Sequence, residues 1–302
     1  MNNCFKEILL TDKEWVDPLL VLSDYRGTEY CFTSLYIWAK FYGTRICRLD
    51  NMLLIRSEAP DRLNYIFPAG EGDFAEAVRF MEKDASAFGK PFSISLSSDT
   101  IGLFRDLFPG EFSIHPVRDM FDYVYNTSDL ISLSGKKYQP KRNFLSRFKK
   151  NNNWSYESID YLLPDKCALQ LQECMQMNEE WCRMNGCIHS DSMQKEICAI
   201  RKAITDFVPL KLHGAILRSE GKVVAYTIGE PLNSDTFIIH AEKAFYDITG
   251  SYPAINQMFA EHETSGFKYI NREDDAGDEG LRKAKLSYHP AFMVEKYLAV
   301  RQ

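Results

Sequence analysis

The order of secondary-structure signals constrains this chain more than any single motif. Each half reads as helices, then a β-meander, then strand–helix–strand. In the first half, residues 28–42 carry Phe32, Leu35, Tyr36, Ala39 and Tyr42 on one helical stripe. "TRICRL" and "MLLIR" flank the turn pair Asp50-Asn51 and predict a hairpin. A short strand "NYIF" ends at Pro68. Asp73 then caps a helix with Phe74, Ala77, Val78, Met81, Ala85 and Phe88 at helical spacing, stopped by Gly89. The strand "FSISL", the helix "DTIGLFRDLF" and the strands "FSIHP" and "MFDYVYN" complete the unit.

The second half opens near Ser128. "QPKRNFLSRFKK" predicts a helix with Pro140 in its first turn and Phe144, Leu145 and Phe148 on its apolar stripe. After the strand-like "WSYESI", a long helix is expected from about Pro164 to Met184, with Gly186 beyond its end, and another over about 191–206. "LKLHGAILRS", "KVVAYTIGE" and "DTFIIHAEKAF" are strands, "PAINQMFAEHE" a helix and "FKYIN" a strand. A helix over about "DEGLRKAKLSY" and the apolar end "AFMVEKYLAV" follow. The halves match in order, not in residues. The chain therefore reads as a duplicated α/β unit, residues 1–128 and 129–302.

Composition narrows the classes. Apolar residues at 45% and charged residues at 26% are globular values. A net charge of −6, from 36 Lys+Arg against 42 Asp+Glu, argues against coating nucleic acid or anionic membrane over the whole surface. No apolar run approaches the roughly 18 residues of a membrane span, and "MNNCFKEILL" lacks the pattern of a signal peptide. The eight cysteines form no C-x-x-C and no zinc spacing. Free thiols, a cytoplasmic location and no metal are the expectations.

Residues 235–290 hold the most chemistry. The loop "YDITGSYPAIN" puts Gly250, with its access to positive φ, and Ser251, a candidate cap, at a helix N-terminus, where N–H groups can hold a phosphate or carboxylate. An ordinary strand-to-helix turn is the other reading. Alternation places Ile238, His240 and Glu242 on one strand face and Ile239, Ala241 and Lys243 on the other. Glu242, closing an apolar strand, is a candidate general base or one partner of an internal ion pair. Asn271 and Arg272 follow the strand "FKYI", at the ligand edge of the sheet. The five acids and four bases of Asn271–Lys285 form a charge network without calcium-loop register. Lys136, Lys137, Lys141, Arg142, Arg147, Lys149 and Lys150, with no acid among them, make a basic stretch able to meet phosphates or to lie solvated.

At these residues the chain resembles a known family. "LSGKKYQPKRNFLSRFKK", "AYTIGE", "FIIHAEKA", "GSYPAINQMFA" and "YINREDDAGDEGLRKAKLSYHP" resemble the DUF2156 family, related to the C-terminal domain of phosphatidylglycerol lysyltransferases. "SLYIWAKFY", "FPAGEGDF" and "RDMFDYVY" extend the resemblance to the first half. It implies α/β (α+β) architecture: tandem Gcn5-related N-acyltransferase-like units, mixed sheets flanked by helices, distantly Fem-like. It further implies a gap between the strands of 235–243 and 267–271, where an acyl-CoA arm or a charged tRNA presents its carbonyl. His240, Ala241, Lys243, Ala244, Asp247, Gly250, Ser251, Tyr252, Asn271 and Arg272 would line the donor site. Asp247 and Tyr252 depart from the family's pyrophosphate loop, since an acid repels phosphate and a tyrosine blocks close backbone approach. Ala284 and Tyr288 match the later motif whose Tyr protonates the leaving group.

The expectation is thus an acyltransferase or aminoacyltransferase. Glu242 would act as base, Tyr288 as acid, and N–H groups near Lys243–Phe245 would hold the oxyanion. Coenzyme A and tRNA are the candidate donors, and the basic patch of Lys136, Lys137, Lys141 and Arg142 would face the latter. A non-catalytic binding module that kept the fold is the alternative.

Overall fold

The structure, a computed structural model, describes residues 4–58 and 61–302. Its strands, in chain order, are β1 (Lys6–Glu7), β2 (Arg45–Leu49), β3 (Met52–Glu58), β4 (Leu63–Gly70), β5 (Phe92–Ser97), β6 (Phe112–Pro116), β7 (Asp122–Asn126), β8 (Trp154–Ser158), β9 (His213–Ser219), β10 (Lys222–Pro231), β11 (Thr236–Ala244), β12 (Tyr269–Asn271), β13 (Phe292–Val294) and β14 (Lys296–Arg301). The helices are α1 (Lys13–Ser23), α2 (Phe32–Tyr42), α3 (Phe74–Ala87), α4 (Ile101–Leu107), α5 (Thr127–Ser132), α6 (Gln139–Asn151), α7 (Pro164–Met184), α8 (Asp191–Thr205), α9 (Phe207–Leu210), α10 (Ser251–Glu263) and α11 (Glu279–Leu286).

They build two seven-stranded mixed sheets, ordered β1-β2-β3-β4-β5-β14-β6 and β13-β7-β12-β11-β10-β9-β8. Each sheet holds one parallel pair, β4 with β5 and β11 with β12, joined across α3 and α10 respectively. A parallel pair needs such a crossover, whereas the antiparallel meanders close with short turns. The duplicated plan is therefore real at the level of strand order.

The ends of the chain depart from a simple tandem. The segment expected as an apolar end breaks at Glu295. Its first part, β13, pairs with β7, and its second, β14, inserts between β5 and β6 of the first sheet. Conversely β7, which precedes residue 128, lies between β12 and β13 of the second sheet. Each half lends a strand to the other's sheet. A buried polar knot marks the crossing: Lys296 Nζ meets Asp122 Oδ2 at 3.1 Å and also contacts Glu29, while the Thr28 N–H donates to Asp122 Oδ2 at 2.9 Å. Burial opposes charge on Lys296, but the two carboxylates outweigh it and hold the ammonium above its usual range.

Two local expectations change. The helix read over 28–42 is interrupted: Thr28–Tyr30 is a short 3₁₀ turn, Cys31 is extended (φ −117°, ψ 125°), and α2 starts at Phe32. Cys4 and Cys47 are joined by a disulfide, their Cα atoms 5.3 Å apart, so the free-thiol expectation fails for this pair. Cys31, Cys167, Cys174, Cys182, Cys187 and Cys198 are free. The two units share one core, in which Phe32, Leu35 and Ile37 of α2 belong with Ile200 and Ile204 of α8 and Tyr226 of β10. Among the described residues no helix is long and apolar enough to cross a membrane.

Candidate active site

The site begins where two strands part. β11 pairs with β12 through Thr236↔Tyr269, Phe237↔Ile270 and Ile238↔Asn271, and there the pairing stops, although β11 runs on to Ala244. β4 likewise outruns β5 after Ile66↔Ser95, but in the first unit the chain fills the space itself. There Tyr30 Oη donates to the Phe67 carbonyl at 3.1 Å and the Gly70 N–H donates to Ser23 Oγ at 2.6 Å. The second divergence is lined by ionisable side chains that face one another.

Glu242 lies beyond the last residue of β11 that pairs with β12, and Arg272 directly follows β12. Arg272 Nη2 donates to Glu242 Oε1 at 2.9 Å, and Asn256 Nδ2 of α10 donates to Glu242 Oε2 at 2.9 Å. The Arg272 guanidinium lies 5.0 Å from the Tyr288 ring centre and 5.7 Å from that of Tyr125. Lys141 Nζ of α6 sits 3.9 Å over the Tyr288 ring and donates to Ser287 Oγ at 2.7 Å. Two polar atoms of this group, Arg272 Nη1 and Asn256 Oδ1, are buried without a hydrogen-bond partner. One unused donor and one unused acceptor at a strand divergence suit a polar ligand.

The surroundings hold the cluster still. Tyr138 Oη donates to the Tyr288 carbonyl at 2.9 Å, and Tyr125 Oη to that of Lys285 at 2.8 Å. Lys285 Nζ donates to the Arg272 carbonyl at 2.7 Å and also reaches that of Asp274. Asp275 accepts from Arg282 Nε at 2.8 Å, and Tyr123 Oη also donates to it. The acid-rich segment is therefore an internal brace closed by bases of α11, which its sequence alone left open.

Burial sets the proton affinities. It pushes the phenols of Tyr288 and Tyr125 above their ordinary range, with Arg272 pulling the other way. Lys141 is lowered to about 8 by burial and then by the neighbouring Arg272, with Glu242 opposing. At neutral pH Tyr288 is thus a proton donor, and Lys141 lies close enough to its midpoint to change charge.

Backbone directions decide the rest. The Phe245 N–H donates to the Val224 carbonyl at 3.0 Å, so it is not free to hold an oxyanion as expected. Antiparallel alternation then turns the N–H groups of Glu242 and Ala244 toward the open edge. The Ala244 N–H meets the Tyr252 hydroxyl, which also accepts from Trp181 Nε1 at 3.2 Å. Tyr252 thus stands at the open edge of β11.

Several expected donor-site residues face elsewhere. Lys243 Nζ pairs with Glu196 at 2.7 Å and lies over Trp181. Asn271 donates to the Arg26 carbonyl at 3.0 Å and to Asp122, and accepts from the Glu273 N–H. Ser251 is not the cap of α10, which is Gly250. The Ser251 hydroxyl donates to the Phe245 carbonyl at 2.6 Å and its N–H to that of Ile248. Gly250 does adopt a positive φ, 90°, but the space a Cβ would take is held by the Phe144 carbonyl of α6, not left to a phosphate. Asp247 is exposed, and Ala241 and Ala244 are core residues. His240 turns to Glu230 and Glu273. The basic patch divides: Lys136 and Lys137 are exposed, Lys141 enters the site, and Arg142 donates to the carbonyls of Leu133 and Gly135. Sequence reasoning missed Asn256, Tyr125 and Ser287. A lone Asn inside the apolar run of α10 was the one available signal.

The family model described as phosphatidylglycerol lysyltransferase, C-terminal, matches residues 21–300. A conserved protein of unknown function from Bacteroides thetaiotaomicron VPI-5482 is 37% identical, with a TM-score of 0.91 and coverage of 99% of this chain and 99% of that one. L-PGS from Bacillus licheniformis superposes with a TM-score of 0.65 at 17% identity, over 96% of this chain and 92% of that one. A tandem GNAT protein from the clavulanic acid biosynthesis pathway, 8% identical, superposes with a TM-score of 0.51 over 98% of each chain. The uncharacterized protein MYCGA3080 of Mycoplasmoides gallisepticum is 27% identical over 183 residues, 59% of this chain, and the match spans 55% of that relative's length. The fold is that of tandem Gcn5-related acyltransferases, and the chain belongs to the family of the phosphatidylglycerol lysyltransferase C-terminal domain.

Proposed function

We propose that the chain transfers an aminoacyl group from an ester donor, a charged tRNA, to a hydroxyl or amine acceptor at the divergence of β11 and β12. The observation that carries this reading is the convergence of Glu242, Arg272, Tyr288 and Lys141 there, with Arg272 Nη1 and Asn256 Oδ1 buried and unpartnered. The acceptor oxygen or nitrogen attacks the ester carbonyl and gives its proton to Glu242 or to neutral Lys141. Arg272 Nη1 stabilises the charge that develops on the carbonyl oxygen. As the C–O bond to the donor breaks, Tyr288 protonates the leaving oxygen. Each Glu242 oxygen accepts one hydrogen bond, from Arg272 or from Asn256, and keeps a further lone pair for the acceptor's proton.

Acyl-CoA is the less favoured donor. Tyr252 meets the Ala244 N–H that a pantetheine arm would use, and Phe144 covers Gly250. Exposed Lys136, Lys137, Arg147, Lys149 and Lys150 adjoin Lys141 and favour a polyanionic donor. The test is transfer of label from a full set of charged tRNAs to phosphatidylglycerol vesicles or to soluble amines, beside calorimetry with coenzyme A. Tyr288→Phe should lower the rate at least about 100-fold. No transfer from any tRNA, together with binding heat from coenzyme A, would replace this reading with the thioester one. A transfer rate unchanged in Tyr288→Phe and Glu242→Gln would exclude catalysis by this cluster.

A further inference from the structure

Three segments far apart in sequence bring one thiol, one carboxylate and one imidazole to a point. Cys31 stands at the extended break before α2, which throws its side chain toward the second sheet. Cys31 Sγ lies 3.0 Å from Glu230 Oε1 on β10 and 3.8 Å from His240 Nε2 on β11, and Nε2 lies 3.0 Å from the same Oε1. The group is enclosed: Cys31 is 4% exposed, and the side chains of Glu230 and His240 are 8% and 2% exposed. We infer that Cys31, Glu230 and His240 form a zinc site that fastens the first unit to β10 and β11.

The geometry fits the ion. A point about 2 Å from all three atoms lies close to their plane, and zinc bonds to nitrogen, oxygen and sulfur are roughly 2.0–2.3 Å. Small side-chain shifts suffice to reach tetrahedral edges. The second layer is also in place. His240 Nδ1 faces Glu273 Oε1 at 3.1 Å, so that Nδ1 carries the proton and the Nε2 lone pair points inward, the carboxylate–histidine–metal arrangement. Lys13 Nζ, 3.5 Å away, takes the other Glu230 oxygen, Oε2, and leaves Oε1 to the cluster. Charge balances as well. Without an ion the cluster needs a thiol proton and a second imidazole proton, and a divalent ion replaces both at the same net charge. Thiolate with imidazole selects zinc over magnesium or calcium. Three protein ligands leave a fourth position for water. The sequence expectation of no metal rested on local spacing, which ligands drawn from positions 31, 230 and 240 do not display. Because His240 precedes Glu242 by two residues on the part of β11 that no longer pairs with β12, the ion holds the strand that carries the candidate base.

The test uses the whole chain. Metal analysis of purified protein should find a stoichiometric zinc ion. Protein stripped with chelator and titrated with cobalt(II) should develop a near-ultraviolet thiolate charge-transfer band and visible bands of tetrahedral type, both removed by zinc. Cys31→Ser should lose the thiolate band, and His240→Gln should weaken zinc binding at least about 100-fold. Cys198→Ser, at an exposed thiol, should change neither. Absence of the cobalt bands in the unsubstituted chain overturns the proposal and leaves a hydrogen-bonded triad. So does a thiolate band that persists in folded Cys31→Ser.

Discussion

Glu242 and Arg272 permit a double-mutant cycle that separates their structural coupling from any chemical role. Their side chains are 8% and 13% exposed and meet at 2.9 Å. Removing one member of a buried pair costs about 3–5 kcal/mol, because the other is left desolvated. Glu242→Gln keeps the shape and one acceptor for Arg272, so about 2–3 kcal/mol is expected. Arg272→Met leaves the carboxylate with Asn256 as its remaining hydrogen-bond donor, and about 3 kcal/mol is expected. The double variant removes both charges, so it should be less destabilised than the sum by about 2 kcal/mol. Urea unfolding followed by tryptophan fluorescence measures all four corners, with the denaturant slope checked for constancy. The coupling should also resist added salt, unlike that of an exposed pair. Additivity within about 0.5 kcal/mol would show that the two groups do not interact and would remove the electrostatic basis of the site. The single losses stay below the stability of a typical domain, about 5–15 kcal/mol, so Glu242→Gln should remain folded for the transfer assay.

Asp274 offers a pH test. Burial and then the nearby Asp122 and Glu273 raise its carboxyl from 3.8 to about 7. The native state therefore keeps a proton that the unfolded chain has lost. This contribution is complete below about pH 4 and is lost as pH rises through about 7. Asp274→Asn should accordingly be more stable than the native chain at pH 8, by up to about 4 kcal/mol, with the advantage vanishing near pH 4; equal urea midpoints at pH 8 would contradict it. Gly250→Ala should destabilise by about 2–4 kcal/mol in the same assay, since φ is 90° and the new Cβ would fall 2.3 Å from the Phe144 carbonyl oxygen. Cys47→Ser should cost about 2–4 kcal/mol through loss of the bridge to Cys4 across 43 residues, and alkylation of both thiols in the unreduced protein would refute the bridge.

Periodicity read most of the local structure well. The long helix expected from about Pro164 to Met184 has those bounds, and the helix expected over about 191–206 runs from Asp191 to Thr205. α7 lays its apolar stripe against β10 and β11, and α8 lays its own against α2 and α7; such a stripe is visible in sequence because its spacing repeats every turn. Short elements were harder. The break at Cys31 has no glycine or proline at it to announce it, and α1, with Pro18 inside it, has no counterpart among the expected elements. At the site, Glu242, Arg272 and Tyr288 stood out as polar residues closing apolar strands or completing a motif. Asn256 and Tyr125 did not, because a polar atom inside an apolar stripe has no partner until the neighbouring element is placed.

By itself the sequence determined most of the succession of helices and strands, the strand–helix–strand units and the family, since each is written in local spacing or in contiguous motifs. Only the tertiary structure decided that β7 and β14 trade sheets, that Lys141 turns inward while Arg142 ties down its own loop, and that Cys31 reaches Glu230 and His240. The physical reason is common to all three. Side-chain alternation says which face of a strand is buried but not which strand lies beside it. A buried charge takes its meaning from whatever partner the completed fold brings within hydrogen-bonding distance.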